Sequence, residues 1–397
     1  MNTQRFSKAL AALAWGLGGL GLLSSSVSAQ PLAAQDAGPT FQLRAAELLL
    51  ADGTRIEDGV VLVEDGRIRK LGRGVEVDPN LPLVEHDGLV TAGLVACQSA
   101  SGTNGGATDP TRSILPEAHA LNALDPDHHE LTEALEAGIT TIVLTGGRTN
   151  VVGGHTAVVK TTGRVVRDGA HLALSLSRAT FGGGEPAAGA VEATGSSRRG
   201  LRFPTSYAGA TAELDRLFGA GEGAFGAAKR GELPVLIEAW ERHEVVRAAE
   251  LAKRHGLVGA VRGATLAADL VGVLRESGLG VVLGPFRAAQ PTRVIEGIRA
   301  VVDAGIPLAF ALDAPANDPT QMRLTAAQGV AAGADPAATL RALTSDAARL
   351  AGVGDRVGSL ERGRDADFVL WSGDPLNLTT RIEAVYVDGV LVHRGGQ

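Results

Sequence analysis

Between residues 233 and 312 the chain alternates short, wholly apolar runs with longer amphipathic stretches. The apolar runs at 233–237, 257–261, 279–283 and 306–312 read as strands, and 244–255, 267–276 and 292–304 read as helices. In the first helix Val245, Ala249 and Ala252 recur at helical spacing, and Gly256, Gly278 and Gly305 supply the three stops. An earlier unit has the same form, a helix over 130–137 followed by the strand 139–144. Continuous apolar strands separated by helices imply a parallel sheet covered on both faces. The even spacing, with no phosphate-binding glycine fingerprint, predicts a closed TIM-type (β/α)8 barrel rather than an open doubly wound sheet.

The two ends of the chain follow a different rhythm. Over 41–94, strand-like runs such as Val60-Val61-Leu62-Val63 and Arg67-Ile68-Arg69-Lys70-Leu71 alternate with turn signals at Asp52-Gly53, Asp65-Gly66 and Asp87-Gly88. The pattern returns at 367–371, at 382–387 and, after the turn Asp388-Gly389, at 390–392. Neither end is large enough to bury a core alone, so the expectation is one small composite β-sandwich made from both. The predicted order is a signal peptide over 1–29, a polar leader over 30–40, the first part of the sandwich over 41–94, the barrel over 95–353 and the second part over 354–397. The low-complexity stretch 181–202 interrupts the barrel and reads as a loop at its mouth, or more sharply as an active-site lid.

Composition narrows the function classes. Hydrophobic residues make up 45% and charged residues 20%, as in ordinary globular proteins, and aromatics only 4%. A net charge of −7 gives no footprint for nucleic acid, and Arg198-Arg199 is too small a pair to change that. At the N-terminus Arg5 and Lys8 precede an apolar run over 9–23, and Val27-Ser28-Ala29 places small residues where a signal peptidase cuts. The run is short for a membrane span. The expectation is an exported protein, periplasmic or extracellular, cleaved near Ala29, with no membrane span in the mature chain. The single cysteine, Cys97, excludes an internal disulfide.

Several stretches carry a resemblance. They are 57–68 (EDGVVLVEDGRI), Val90-Thr91-Ala92-Gly93-Leu94-Val95, Asn150-Val151-Val152-Gly153-Gly154 and, most specific, 356–371 (RVGSLERGRDADFVLW) followed by Tyr386-Val387-Asp388-Gly389. Together they resemble the amidohydrolase superfamily, in particular its imidazolonepropionase-like branch. The resemblance implies a distorted (β/α)8 barrel with a composite β-sandwich, and metal-dependent hydrolysis of non-peptide C–N bonds. Its metal, usually zinc, sits at the C-terminal ends of the strands and lowers the pKa of a bound water.

Carried over residue by residue, the family's ligand positions are nearly all replaced. The His-x-His pair that ends the first strand falls on Gln98 and Ala100. The fifth-strand histidine falls on Glu238 and the sixth-strand histidine on Gly263; only the aspartate after the eighth strand survives, as Asp313. Two carboxylates make a weak metal site without further oxygens. The expectation is therefore a pseudoenzyme that needs no cofactor and whose relict catalytic residue is Asp313. Its barrel mouth is kept as a pocket for a small-molecule ligand, formed by Glu238, Trp240, Asp313, His155 and Lys160.

Two unpaired carboxylates at one mouth would repel, so something must compensate. Trp240, two residues beyond Glu238, is expected to fill part of the vacated volume and to donate its indole N–H to a carboxylate. Arg262 neighbours Gly263 and is expected to point away, whereas Lys160 supplies the charge if its strand ends at the mouth. Lys160 reads otherwise as a plain salt-bridging lysine. The side chains of the adjacent pair His128-His129 are expected to diverge, and the pair reads with His155 as structural rather than ligating. Ser99 and Ser101 lack partners for nucleophilic catalysis, and Asn377-Leu378-Thr379 matches a glycosylation pattern.

Two other readings stand beside the pseudoenzyme. One is an active C–N hydrolase with zinc or another divalent metal on Asp313, Glu238 and His155. The other is a structural or partner-binding protein. Oligomeric state stays open.

Overall fold

In the computed structural model, which describes residues 39–395 except 110, 147–148, 182–202 and 288, the chain runs from a sheet into a barrel and back. The signal-peptide reading over 1–29 lies outside the described residues, and so does nearly all of the 181–202 interruption. Strands β1 (Phe41–Leu49), β2 (Arg55–Glu64), β3 (Arg67–Arg73) and β4 (Leu83–Ala92) open the chain. The barrel strands follow as β5 (Leu94–Ser99), β6 (Ile139–Leu144), β7 (Val152–Lys160), β8 (Val165–Ser175), β9 (Val235–Ala239), β10 (Gly259–Gly263), β11 (Gly280–Leu283) and β12 (Leu308–Phe310). The chain ends in β13 (Phe368–Trp371), β14 (Ile382–Val387) and β15 (Val390–Arg394). The helices are α1 (His129–Glu136), α2 (Tyr207–Ala220), α3 (Gly223–Lys229), α4 (Arg242–His255), α5 (Ala267–Ser277), α6 (Thr292–Asp303), α7 (Thr320–Ala331), α8 (Pro336–Leu343) and α9 (Ser345–Leu350).

Both ends of the chain build one seven-stranded sheet, in the order β15-β14-β13-β4-β1-β2-β3. Its core includes Leu43, Val61 and Leu370 beside a ring cluster, where Tyr386 lies 5.6 Å from Phe41 and 4.9 Å from Phe368 between centroids. The passage into the barrel is a single residue, Gly93. A side chain there would run into Thr140 at 2.1 Å, so only glycine fits where the two sheets come together.

The barrel sheet runs in order from β12 to β5. Bonds from Leu312 N to Gln98 O (2.9 Å) and from Ala100 N to Ala314 O (3.0 Å) join its two ends. Seven strands are parallel, and β7 is antiparallel to both β6 and β8. The links 145–151 and 161–164 are too short for the crossover that a parallel connection needs, so they make hairpins. Hence the stretch 150–154, which resembles a family loop, leads into a reversed strand. One buried residue or more from each of the eight strands lines the interior, mostly small: Val95, Cys97, Val143, Val158, Ala170, Leu236, Ala260, Val282 and Ala309. Helix α9 adds Ala347 and Ala348 to this cluster. Cys97 donates to the carbonyl of Ala347 (3.2 Å), and burial alone pushes its thiol up to about 12.

Because β7 is reversed, its last residue, Lys160, pairs with Thr141 near the start of β6, at the end of the barrel opposite the mouth. There its ammonium is fully buried and bonds Asp367; Asp365 lies 3.2 Å away and Asp388 3.4 Å. Arg164 and Arg356 join Asp365 from the outer side at 3.2 and 2.9 Å. Three cations facing three aspartates tie the β7–β8 turn to the C-terminal segment of the sheet.

His171 on β8 is 3% exposed, with Nδ1 3.0 Å from Thr156 Oγ1 and Nε2 2.8 Å from the carbonyl of Leu350. Burial drives its pKa down to about 4, against a carbonyl contact that pulls it up. The native protein thus keeps this imidazole neutral where the unfolded chain, at an ordinary 6.5, takes up a proton. Stability is lost as pH falls from about 6.5 towards 4, by on the order of 3 kcal/mol in all. Melting curves over this window are expected to fall more steeply for the native chain than for His171→Gln; parallel slopes would assign the loss elsewhere.

Candidate functional site

Strand register decides which side chains meet at the C-terminal ends of the barrel strands. On β8, β9 and β10 the residues Ser175, Glu238 and Arg262 are level with one another. The interior residue two places before Glu238 is Leu236, and two before Arg262 is Ala260, so the period-two rule points both side chains inward. Arg262 is 3% exposed. Its Nη1 donates to Glu238 Oε2 at 2.8 Å and its Nη2 to Asp313 Oδ1 at 2.9 Å.

One guanidinium therefore bridges β9, its own strand β10 and the residues after β12. Asp313 holds a left-handed backbone, φ 53°, and Asn317 Nδ2 donates to its Oδ2 at 3.3 Å. The indole of Trp240 donates through Nε1 to Glu238 Oε1 at 2.8 Å. Its ring covers the guanidinium carbon at 5.3 Å, a cation–π contact. The same ring lies over Gly263, where a Cβ would approach it to 2.9 Å and where φ is +106°. Gly263 is thus the floor beneath the indole.

Two readings of the sequence need correcting here. Arg262 faces the mouth instead of turning away, because it, and not Gly263, is in register with Glu238. Lys160 is absent from the mouth because its strand is reversed. His155 is engaged elsewhere: its ring stacks on His119 at 4.4 Å, and His119 Nδ1 lies 3.1 Å from Asp168. Burial first, then His119, lower the pKa of His155. The structure brings together Glu238, Trp240 and Asp313 of the expected pocket, with Gln98 beside them. Gln98 is 5% exposed and donates from Nε2 to Thr145 Oγ1 at 3.3 Å, while its Oε1 accepts no bond among the described residues. The methyl of Ala100 offers nothing to a ligand.

A residue absent from the sequence reading holds this corner in place. Glu244 at the start of α4 is 1% exposed and its carboxylate accepts four bonds. Trp240 N (2.8 Å) and Glu241 N (3.0 Å) bind one oxygen, Arg178 N (2.9 Å) and Tyr207 OH (2.5 Å) the other. The bond from Glu241 N is one half of the capping box of α4, and with the bond from Trp240 N it fixes the turn that carries Trp240. The glutamate four residues after Trp240, opening a helix, was the signal that could have revealed it.

A cavity of about 30 Å3 lies beside the triad, lined among others by Gln98, Thr145, Asn150, Ser175, Glu238 and Arg262. The divalent ion that the resemblance implies does not fit these residues. The place between the two carboxylates is taken by a guanidinium bonded to both, and the first strand offers an amide and a methyl group instead of imidazoles.

With this geometry in view, a model described as the amidohydrolase family matches residues 228–392. The chain is 30% identical over 180 residues to the imidazolonepropionase of Xanthomonas oryzae pv. oryzae, a match covering 40% of this chain and 43% of that protein. It is 32% identical over 165 residues to the imidazolonepropionase of Paracidovorax citrulli, covering 38% and 37%. The chain thus spans less than half the length of the curated relatives it matches. Among solved structures, an amidohydrolase from Thermotoga maritima superposes with a TM-score of 0.77 at 25% identity, over 89% of this chain and 100% of that one. An adenosine deaminase from Xanthomonas campestris with bound zinc superposes at 0.53 and 18% identity, over 88% and 92%, a likeness of fold.

Removing Arg262 leaves two carboxylates buried without their bridge. Arg262→Ala is expected to cost about 3–5 kcal/mol in urea unfolding, the range for breaking a buried ion pair. Neutralising both partners as well, in Arg262→Met with Glu238→Gln and Asp313→Asn, is expected to recover much of that loss. A single variant as stable as the native chain would show that the bridge contributes nothing.

Proposed function

The chain belongs to the amidohydrolase superfamily, and we propose that it is an exported, non-hydrolytic member with a binding or scaffolding role. The observation that carries the reading is the guanidinium of Arg262 between Glu238 and Asp313. Amidohydrolase chemistry needs a hydroxide made on a metal and an open place for the substrate beside it. Here a fixed protein cation, already neutralised by its partners, stands between Asp313, the one ligand type kept, and Glu238, which takes the place of a histidine. It cannot carry a water nucleophile. The adjoining cavity, about 30 Å3, is small beside the clefts of roughly 300–1,000 Å3 that usually hold small-molecule ligands. What the site offers is polar recognition at small scale: a buried amide oxygen on Gln98, hydroxyls on Thr145 and Ser175, and a bridge that ties β9 and β10 to the segment after β12.

Protein dialysed against a chelator is expected to keep no metal at the mouth and to hydrolyse neither dipeptides, hydantoins nor imidazolones above background. One equivalent of zinc that resists dialysis, with activity lost on its removal, would overturn the reading.

Export rests on the N-terminal pattern of Arg5, Lys8, the apolar run and Val27-Ser28-Ala29. No helix among the described residues is long and apolar enough to cross a membrane. Mass mapping of protein recovered outside the cytoplasm is expected to find a chain beginning near Gln30; intact Met1 on that protein would refute cleavage.

A further inference from the structure

Among the described residues, one group of histidine and carboxylate side chains has the spacing of a metal site, and it lies apart from the triad. At the start of α1, one ring nitrogen each from His128 and His129 and a carboxylate oxygen of Glu130 all lie within 4.8 Å of one another. The two rings, expected to diverge, have centroids 4.4 Å apart at an angle of 36°. His128 is the extended residue just before the helix, φ −67° and ψ 135°, and His129 is the first helical one. The change of backbone between them swings both imidazoles to the same side.

The surroundings orient the first two ligands. Asn104 Oδ1 can only accept, so the 2.8 Å contact to His128 Nε2 places the ring proton there and leaves the Nδ1 lone pair facing Glu130. This is the arrangement in which a metal-binding imidazole donates its other N–H to an oxygen. Gly102 N donates to Glu130 Oε2 at 2.9 Å and fixes the carboxylate. His128 Nδ1 and Glu130 Oε2 are 3.6 Å apart, so an ion at bonding distance, roughly 2.0–2.2 Å from each, fits between them. Among the described residues the lone pair meets Glu130 N, at a long 3.4 Å, a contact easily exchanged for a metal bond. Glu133 Oε1, 4.0 Å from His129 Nε2, is the next carboxylate in reach.

We propose that His128, His129 and Glu130 bind a divalent transition-metal ion of the zinc, nickel or copper class through two imidazoles and one carboxylate, leaving a coordination position open to solvent or a further ligand. Borderline nitrogen donors with one oxygen select these ions over magnesium or calcium. The side chain of His129 is 71% exposed, so the ion is exchangeable with solvent.

Calorimetric titration of the full, chelator-stripped chain with zinc chloride and with nickel chloride tests this. The expected result is one equivalent bound at micromolar concentration, weakened at least tenfold in His129→Ala and in Glu130→Gln. His129→Ala removes an exposed side chain and is expected to fold normally, as circular dichroism would check. No binding by the native chain up to millimolar metal, or binding unchanged in both variants, would overturn the proposal. Metal that survives His129→Ala but is lost in Asp313→Asn would instead locate it at the mouth and refute the non-hydrolytic reading.

Discussion

A charge withdrawn from water must meet a counter-charge with good geometry, and that requirement fixes the barrel at both ends. At one end Lys160 is sealed among Asp365, Asp367 and Asp388; at the other Arg262 is held between Glu238 and Asp313. Neither cluster is a cheap source of stability, because desolvation consumes much of the Coulombic gain. Their effect is on specificity: each allows one arrangement of strands. A slip of one residue on β10 would turn Arg262 outward and leave Glu238 and Asp313 without their bridge. The lysine cluster likewise couples the hairpin β7–β8 to the sheet formed by the chain ends, so that barrel and sheet share buried charges.

Fold was legible wherever local pattern and tertiary role agree. The runs at 139–144 and 382–387 coincide with β6 and β14, and α4, α5 and α6 end at or just before the glycines that marked them. Those elements carry their whole signal within a dozen residues. The reversed strand β7 was not legible in the same way, since its residues are as apolar as a parallel strand's. What marks it is the shortness of the links on either side, together with Gly163, whose φ of +83° the hairpin turn requires. The misplacement of Lys160 follows directly from that single reversal.

At the mouth the correct side chains were within one residue of being found. A barrel interior is narrow, so its inward positions favour small residues: Ala170, Ala260, Ala309 and Ala311 are all in the interior cluster. Reading outward from Ala260 in steps of two gives Arg262, and from Ala311 gives Asp313. A strand taken to stop at residue 261, two short of the observed end at Gly263, hides this parity. Adjacent histidines posed the opposite problem. Neighbours diverge along a strand, but His128 and His129 straddle a helix start, and cap geometry is not readable from the two letters alone.

The resemblance to amidohydrolases and the proposed absence of their chemistry have one physical origin. In the most specific matching stretch, Asp365 and Asp367 serve the buried lysine and arginine cluster, and Val369 and Trp371 belong to the main core. Such residues preserve architecture, and architecture is what a sequence match detects most readily. The ligand positions answer to a different constraint. Glu238 and Asp313 approach the same point of a closed barrel, and their repulsion must be offset whether or not anything is catalysed. An arginine in register between them meets that electrostatic need with two charge-assisted bonds and an aromatic cover. It also stands between the two carboxylates, so in the proposed reading the residue that offsets their repulsion is the same one that leaves no place for a metal-bound nucleophile.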